Sequence, residues 1–266
     1  MCLEKWRYGF ISVKGTSHET TNTNCQDSSV CTILEDKQGK EILVAVISDG
    51  AGSAKVSEMG SSLVCSLFVD EIQAYLETGN EIRDLGREFY EEWILRVHSE
   101  IDIRAEAMQL SKRDFACTFL SAVLTDEIGF FAQIGDGAIV MNSPEEPDTY
   151  NWEFWPQQGE YENTTYFITE NNAIQKLMFS PRQGKACTEI AMFTDGIQRL
   201  VLHYESQTVH SPFLQPFFKI LRNQDESSTE RYTSSLAAFL NSDKVNERTD
   251  DDKTLLLATR LANTAV

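Results

Sequence analysis

The sequence predicts an α+β sandwich, because strand-like and helix-like segments occur in separate blocks. Short apolar segments bounded by turn residues occupy the two ends of the chain, and two long stretches of helical periodicity lie between them. Strands gathered into sheets, with long helices between them, are typical of packed layers of sheets and helices. A chain of 266 residues can bury a large core, and we expect residues 1–266 to form one domain.

The first part of the chain is predicted to form strands. Residues 7–13 alternate in polarity, and a polar loop at 15–27 separates them from two further apolar segments joined by a hairpin turn. The strands are predicted at 7–13, 29–34 and 41–48.

After residue 49 the apolar residues recur at helical spacing. Val56, Met59 and Leu63 begin a stripe that predicts a helix over Ser57–Glu77, and a second stripe predicts another helix from about 81 to 109. The aromatic residues of the second stripe are expected in the core.

The rest of the chain returns to strands. A segment at about 142–184 holds four of the six prolines and an aromatic cluster, so we expect an irregular excursion with one strand at 165–169. The other elements are predicted as strands at 115–124, 130–134, 138–141, 190–193 and 253–258 and as helices at 213–222 and 229–240.

Composition limits the classes of function. The chain has 41 acidic and 23 basic residues, a net charge of -18, and no basic stripe for nucleic acid or an anionic membrane. The six cysteines form no C-x-x-C pair, so a zinc site is not expected. We expect the thiols to stay reduced and the protein to be cytoplasmic, because no apolar N-terminal segment precedes the first strand.

Aspartates stand at the ends of three predicted strands. Ser48-Asp49-Gly50 and Thr194-Asp195-Gly196 each close an apolar segment, and a cluster at 250–252 precedes the last strand. In the first two motifs glycine lets the backbone approach a ligand closely. Carboxylates gathered at strand ends repel one another unless a cation lies among them, and oxygen ligands suit Mg²⁺ or Mn²⁺. The pattern predicts metal-assisted chemistry.

Five motifs follow one another along the chain: Asn24-Cys25-Gln26-Asp27, Ser48-Asp49-Gly50-Ala51-Gly52, Cys117-Thr118 before Gly135-Asp136-Gly137, Phe193-Thr194-Asp195-Gly196, and Asp251-Asp252-Lys253-Thr254. In this order they resemble the motifs of the PP2C family of metal-dependent protein serine/threonine phosphatases. Three segments resemble its divergent bacterial branch: Gly15-Thr16-Ser17-His18, Cys25-Gln26-Asp27 and Gly159-Glu160-Tyr161-Glu162-Asn163. The resemblance implies a four-layer αββα sandwich with two Mn²⁺ or Mg²⁺ ions in a cleft at one end of the sheets. The segment at 142–184 corresponds to the variable flap of that family.

The resemblance also implies roles for individual residues. Asp49 would bridge both metal ions, the Gly50 carbonyl would complete one site, and Asp195 and Asp251 would hold the other ion. In the cluster at 250–252 the register against Lys253-Thr254 favours Asp251.

Two further aspartates complete the implied site. Asp136 with Asp195 would form a third, weaker metal site, and Asp27 would act through metal-bound water. Asp27, Asp49 and Asp195 are the implied catalytic residues, serving a hydroxide that bridges the metals and attacks phosphorus in line. Each aspartate also has an ordinary structural alternative as a turn or cap residue.

Two family positions differ in this chain. Asn22 stands where a phosphate-binding arginine is usual, and Ala51 stands where eukaryotic members carry a histidine. We hypothesise that His18 or Lys55 binds the substrate phosphate instead. The alternatives are a solvated or loop-capping histidine and a surface lysine.

The function implied is hydrolysis of phosphoserine and phosphothreonine in proteins by a monomer that opposes a serine/threonine kinase. The missing arginine motivates an alternative, a catalytically impaired PP2C-like binding module. A hydrolase of nucleotides or other small phosphoesters would use the same carboxylates.

Overall fold

The computed structural model describes residues 5–142, 145–159, 165–183, 187–224 and 229–260. The strands in these ranges are β1 Arg7–Val13, β2 Ser28–Glu35, β3 Glu41–Ser48, β4 Phe119–Leu124, β5 Ile128–Ile134, β6 Ala138–Asn142, β7 Tyr150–Phe154, β8 Met178–Gln183, β9 Glu189–Phe193, β10 Leu202–His203, β11 Thr208–Val209 and β12 Lys253–Thr259. The α-helices are α1 Thr16–Thr21, α2 Ser57–Glu77, α3 Arg87–Met108, α4 Ala173–Lys176, α5 Gln198–Val201, α6 Ser211–Leu221, α7 Thr229–Leu240 and α8 Asp243–Asn246. Short 3₁₀ helices occur at Ile82–Asp84, Lys112–Phe115 and Asp195–Ile197.

Two five-stranded antiparallel sheets form the centre of the fold. The strand order is β1-β12-β9-β6-β7 in one sheet and β2-β3-β4-β5-β8 in the other, and β10 and β11 form a separate ribbon. In the first sheet Val13 pairs with Lys253, and Leu255 pairs with Phe193. The end of β9 and the start of β12 therefore lie side by side, together with the loops that carry Asp195 and Asp251.

The side chains of β3 show how the layers pack. Val44 and Val46 join the cluster formed with α2 and α3, whereas Ala45 and Ile47 join the cluster between the two sheets. This alternation follows the period of two in a strand. It explains why β3 is apolar on both faces.

The outer face of the other sheet is covered by α6 and α7. Ala191 and Phe193 of β9 pack in one cluster with Leu214 and Phe218 of α6. The order of layers is therefore helix, sheet, sheet, helix, and the predicted αββα sandwich is confirmed.

The segment predicted as an irregular excursion contains regular elements. β7 and β8 are the edge strands of the two sheets, and α4 lies between them. Pro181 in β8 concealed that strand in the sequence, but proline is tolerated at an edge. The prediction of a strand at 165–169 is wrong, because residues 165–167 belong to no helix or strand and residues 168–169 begin a turn. Residues 160–164 lie outside the described ranges.

Other predictions also differ from the structure. The segment predicted as a polar loop at 15–27 contains the short helix α1. The helix predicted from 81 to 109 is divided at Leu85, which is extended, and α3 begins after Gly86. The strand predicted at 115–124 begins only at Phe119, because a 3₁₀ helix with a Ser111–Asp114 capping box precedes it. Within the described ranges, no helix is long and apolar enough to cross a membrane.

Candidate metal centre

Three carboxylates converge at one end of the paired sheets. Asp49 follows β3, Asp136 lies in the turn between β5 and β6, and Asp195 follows β9. One carboxylate oxygen from each lies within 4.8 Å of the other two. An all-oxygen set at this spacing suits Mg²⁺ or Mn²⁺.

Asp49 is positioned by Thr118, the residue just before β4. Its backbone N–H donates to Thr118 Oγ1 at 2.9 Å, and the Thr118 N–H donates to the Asp49 carbonyl oxygen at 2.8 Å. The Ser48 hydroxyl adds a bond of 2.6 Å to the Thr118 carbonyl oxygen. A Cβ atom on Gly50 would lie 2.6 Å from the Gln26 carbonyl oxygen, so this position requires glycine.

The turn that carries Asp136 is held by two glutamines. Gln133 Nε2 donates to the carbonyl oxygens of Gly135 and Gly137, both at 3.0 Å, and Gln157 Oε1 accepts the Gly135 N–H at 2.7 Å. Gly135 has a φ of 121°, in the region that favours glycine. Glycine at position 135 is therefore a conformational requirement of this turn.

Asp195 opens the 3₁₀ helix after β9 and packs closely against the segment before β12. A Cβ atom on Gly196 would overlap the carbonyl oxygen of Asp252. Glycine at position 196 thus allows the two acidic segments to meet.

Asp27 lies behind the three carboxylates and is only 8% exposed. Its Oδ2 accepts hydrogen bonds from the hydroxyls of Thr194 and Thr254, both at 2.8 Å. Burial raises the pKa of Asp27 to about 8, although the two threonine hydroxyls act in the opposite direction. The position of this carboxylate depends on residues from two strand ends.

The three aspartates of the cluster at 250–252 have different surroundings. Asp252 is buried and accepts backbone N–H groups from Gly15 at 2.6 Å and Gln26 at 2.5 Å. Asp250 offers its carbonyl oxygen to Ser17, and its side chain is exposed. The residue Asp251 is exposed overall, but its Oδ1 accepts the Asp252 N–H at 2.8 Å, and partial desolvation of the carboxylate, followed by the charge of Asp195, raises its pKa. The metal role given to Asp251 stays a prediction, and Asp252 has a structural role.

The carboxylates create a strongly negative centre. Burial and then the charge of Asp195 raise the pKa of Asp136 to about 7. Burial and the charges of Asp27, Asp195 and Asp136 raise the pKa of Asp49 well above its usual value. A divalent cation would offset this repulsion, so the residues present fit a metal ion.

His18 and Lys55 both have acidic neighbours. His18 Nδ1 lies 2.9 Å from Asp252 Oδ1, and the side chain is 16% exposed. Lys55 Nζ lies 3.7 Å from Asp114 Oδ1, and its side chain is 70% exposed. Asn22 ends α1 with a φ of 56°. A phosphate-binding role for His18 or Lys55 stays a prediction.

Sequence reasoning missed the residues that position the aspartates. Thr194 and Thr254 hold Asp27, and Gln133 shapes the turn of Asp136. The sequence offered two signals. Thr194 and Thr254 are polar residues near an aspartate at a strand end, and Gln133 is a polar residue inside an apolar strand. Such a signal does not identify the distant partner.

Known proteins resemble this chain in sequence and in fold. The family model described as "Protein phosphatase 2C" matches residues 14–241. "Serine/threonine-protein phosphatase 3" of Escherichia coli (strain K12) is 36% identical over 255 residues, covering 95% of this chain and 98% of that protein.

Solved structures extend the comparison. A bacterial serine phosphatase superposes with a TM-score of 0.63 at 13% identity, covering 98% of this chain and 100% of the other. The catalytic domain of the phosphatase PstP, in complex with two manganese ions, gives a TM-score of 0.60 at 13% identity, with 96% and 97% coverage. The chain thus has the fold of bacterial serine phosphatases. With the family match over residues 14–241, it belongs to the protein phosphatase 2C family.

Proposed function

We propose that this protein is a Mn²⁺- or Mg²⁺-dependent phosphatase that removes phosphate from serine and threonine side chains of proteins. The convergence of Asp49, Asp136 and Asp195 within 4.8 Å carries the proposal. The 36% identity to a serine/threonine-protein phosphatase over nearly the whole chain supports the substrate class. Asn22 motivates the alternative of a catalytically impaired binding module, but the converging carboxylates argue against it, because such a module does not need them.

The protein's own residues would hold the metal ions and orient the reacting groups. Asp49, Asp136 and Asp195 provide the converging oxygens, with Asp251 and the Gly50 carbonyl as further proposed ligands. When bound, divalent cations supply positive charge to the phosphate and make water more acidic. Asp27, fixed by Thr194 and Thr254, would orient groups at the back of the centre.

The test is hydrolysis of a Thr-phosphorylated peptide by the purified protein with Mn²⁺, with EDTA, and after Asp195→Asn. We expect turnover with Mn²⁺ and a loss of at least about a hundredfold in the other two samples, because the charge that stabilises the transition state is removed. Full activity in Asp195→Asn would refute its role. If calorimetry shows that the protein binds Mn²⁺ but no turnover is measured, the result would favour the binding module.

We further propose that the protein acts as a cytoplasmic monomer opposing a serine/threonine kinase. A phosphorylated protein substrate requires such a kinase, and the net charge of -18 is consistent with a well-solvated surface. Light scattering after size-exclusion chromatography and cell fractionation would test the oligomeric state and the compartment.

A further inference from the structure

The ribbon of β10 and β11 brings two of the four histidines of the chain into contact. His203 lies in β10, and His210 directly follows β11. His203 pairs with Thr208, and side chains two residues apart in a strand point to the same face, so His210 is the diagonal neighbour of His203. His203 Nε2 lies 3.1 Å from His210 Nδ1, and the ring centroids are 5.0 Å apart.

The backbone fixes the positions of both histidines. The His210 N–H donates to the Val201 carbonyl oxygen at 2.7 Å, which continues the ribbon, and the His210 carbonyl oxygen accepts the Phe213 N–H at 2.9 Å where α6 begins. Leu202, next to His203, is buried in the cluster that includes α6. The two rings therefore belong to a ribbon that is packed against the fold.

The distance between the two nitrogens is typical of neighbouring ligands on one metal ion. Zn²⁺ binds an imidazole nitrogen at about 2.0–2.1 Å, so two nitrogens separated by about 90–109° around the ion lie about 2.8–3.4 Å apart. The observed 3.1 Å falls within this range. Without a metal ion, one ring donates a hydrogen bond to the other, and a cation would take the place of the shared proton.

We propose that His203 and His210 form a second cation site, which takes a divalent ion that prefers imidazole, such as Zn²⁺, Cu²⁺ or Ni²⁺. The oxygen set of Asp49, Asp136 and Asp195 suits Mg²⁺ or Mn²⁺, so the two sites select different metals. This inference goes beyond the proposed phosphatase function.

The surroundings of the pair define the kind of site. Among the described residues, the one group of three converging metal-ligating side chains is that of the acidic centre, so no third side chain of this kind joins the two histidines. His203 is exposed, which leaves the other ligand positions of the ion to water. A structural zinc site has four protein ligands, so the ion bound here is exchangeable.

The sequence did not predict this site. The cysteines gave no reason to expect zinc, and the two histidines are 7 positions apart, without the short spacing of a metal-binding motif. They meet only because β10 and β11 pair. An ion bound to both would join the end of β10 to the start of α6.

The first test measures Zn²⁺ binding by calorimetry to protein without a polyhistidine tag, in excess Mn²⁺ that occupies the acidic centre. We expect one Zn²⁺ per chain, and His203→Gln and His210→Gln should each weaken its binding by at least about tenfold. His98→Gln is the matched control, because His98 contacts the Ile168 carbonyl oxygen instead, and it should leave Zn²⁺ affinity unchanged. No binding by the wild type, or equal affinity in the wild type and both ribbon variants, would overturn the proposal.

The second test identifies the ligand atoms by electron paramagnetic resonance with one equivalent of Cu²⁺, using Mg²⁺ in place of the paramagnetic Mn²⁺. We expect coupling of Cu²⁺ to two imidazole nitrogens in the wild type and the loss of this signal in either ribbon variant. Coupling to no nitrogen, or a spectrum that neither variant changes, would refute the site.

The binding measurements use no substrate, so their outcome does not depend on the proposed function. We expect His203→Gln and His210→Gln to keep Mn²⁺-dependent hydrolysis of a Thr-phosphorylated peptide within about twofold, because neither side chain belongs to the acidic centre. Zn²⁺ should raise the melting temperature of the wild type more than that of either variant, since it binds the folded ribbon. A large loss of turnover in variants that still fold would overturn the assignment of a separate site.

Discussion

The three consecutive aspartates before β12 have different surroundings. Asp252 is 3% exposed and holds the loops that carry Gly15 and Gln26, whereas Asp250 and Asp251 are exposed. Because Gln26 precedes Asp27, the Asp252 carboxylate fixes the chain next to a proposed catalytic residue. A motif that reads as one acidic cluster therefore contains a structural residue and a candidate metal ligand.

Substitution of the three residues should separate these roles. We expect Asp252→Ala to lower the free energy of unfolding by about 2–4 kcal/mol, since it leaves two buried N–H groups without an acceptor. Asp251→Ala should lower the free energy of unfolding by only about 1 kcal/mol, since its carboxylate accepts the Asp252 N–H at 2.8 Å, but it should weaken Mn²⁺ binding. Urea unfolding and calorimetry measure the two quantities.

Asp250→Ala is the matched control for both measurements, because its side chain is exposed and its backbone carbonyl oxygen accepts the hydrogen bond from Ser17. It should leave stability and Mn²⁺ affinity unchanged. A stable Asp252→Ala protein, or full Mn²⁺ affinity in Asp251→Ala, would contradict the division of roles.

The sequence allowed the aspartates to be predicted at strand ends, since Asp49 and Asp195 directly follow apolar segments. It did not reveal the hydrogen bonds from Thr194 and Thr254 to Asp27, which join residues 167 and 227 positions apart in the chain. Pairings of this kind depend on sheet order, which local patterns do not encode.

β9 carries a structural carboxylate at one end and Asp195 just beyond the other. Glu189 is fully buried and accepts hydrogen bonds from Arg222 Nε at 2.7 Å, Arg222 Nη2 at 2.7 Å and the Tyr150 hydroxyl at 2.5 Å. Burial and the charge of Glu189 raise the pKa of Tyr150. This network attaches the end of α6 to the sheet.

Arg222→Met should remove the charge partner of Glu189 and lower the free energy of unfolding by about 2–4 kcal/mol. We expect kcat and Mn²⁺ affinity to stay unchanged, because Glu189 and Asp195 belong to opposite ends of β9. Urea unfolding, peptide hydrolysis and calorimetry, with Arg231→Met as control, test this. A large loss of Mn²⁺ affinity would show that the two ends are coupled.

Gln133 supports the turn between β5 and β6, and this turn carries the proposed metal ligand Asp136. Gln133→Met keeps a side chain of similar size but removes the bonds to the Gly135 and Gly137 carbonyl oxygens. We expect Mn²⁺ affinity to fall about tenfold. The exposed Gln175→Met serves as control, and equal Mn²⁺ affinity in both variants would contradict this role.

Elements with continuous periodicity could be predicted closely, and the two strands inside the proline-rich segment could not. α2 begins and ends where its apolar stripe predicts, at Ser57–Glu77. β7 and β8 were missed because Pro181 interrupts the pattern of β8, and the burial of β7 does not alternate along the strand. Their positions depend on sheets formed by distant segments.

The protein as a whole concentrates negative charge at one end of its sheets. Burial raises the pKa of Asp136 to about 7 and that of Asp27 to about 8, from the ordinary value of 3.8. Between the ordinary pKa of 3.8 and these raised values, the folded, metal-free protein binds more protons than the unfolded chain. The contribution of the two carboxyl groups to stability is therefore fully present below about pH 4 and is lost as pH rises through about 7 to 8.

In EDTA we expect the melting temperature to fall by about 5 °C or more between pH 5.5 and pH 8.5, because the ionised carboxylates repel one another. Excess Mn²⁺ should remove most of this fall, since it binds the folded state and offsets the charge. Asp136→Asn should reduce the fall in EDTA, whereas the exposed Asp250→Asn should not. A melting temperature in EDTA that is constant or rises with pH would mean that the carboxylates do not form a common centre. A fall that Mn²⁺ leaves unchanged would assign the effect to the net charge of -18 instead of the metal centre.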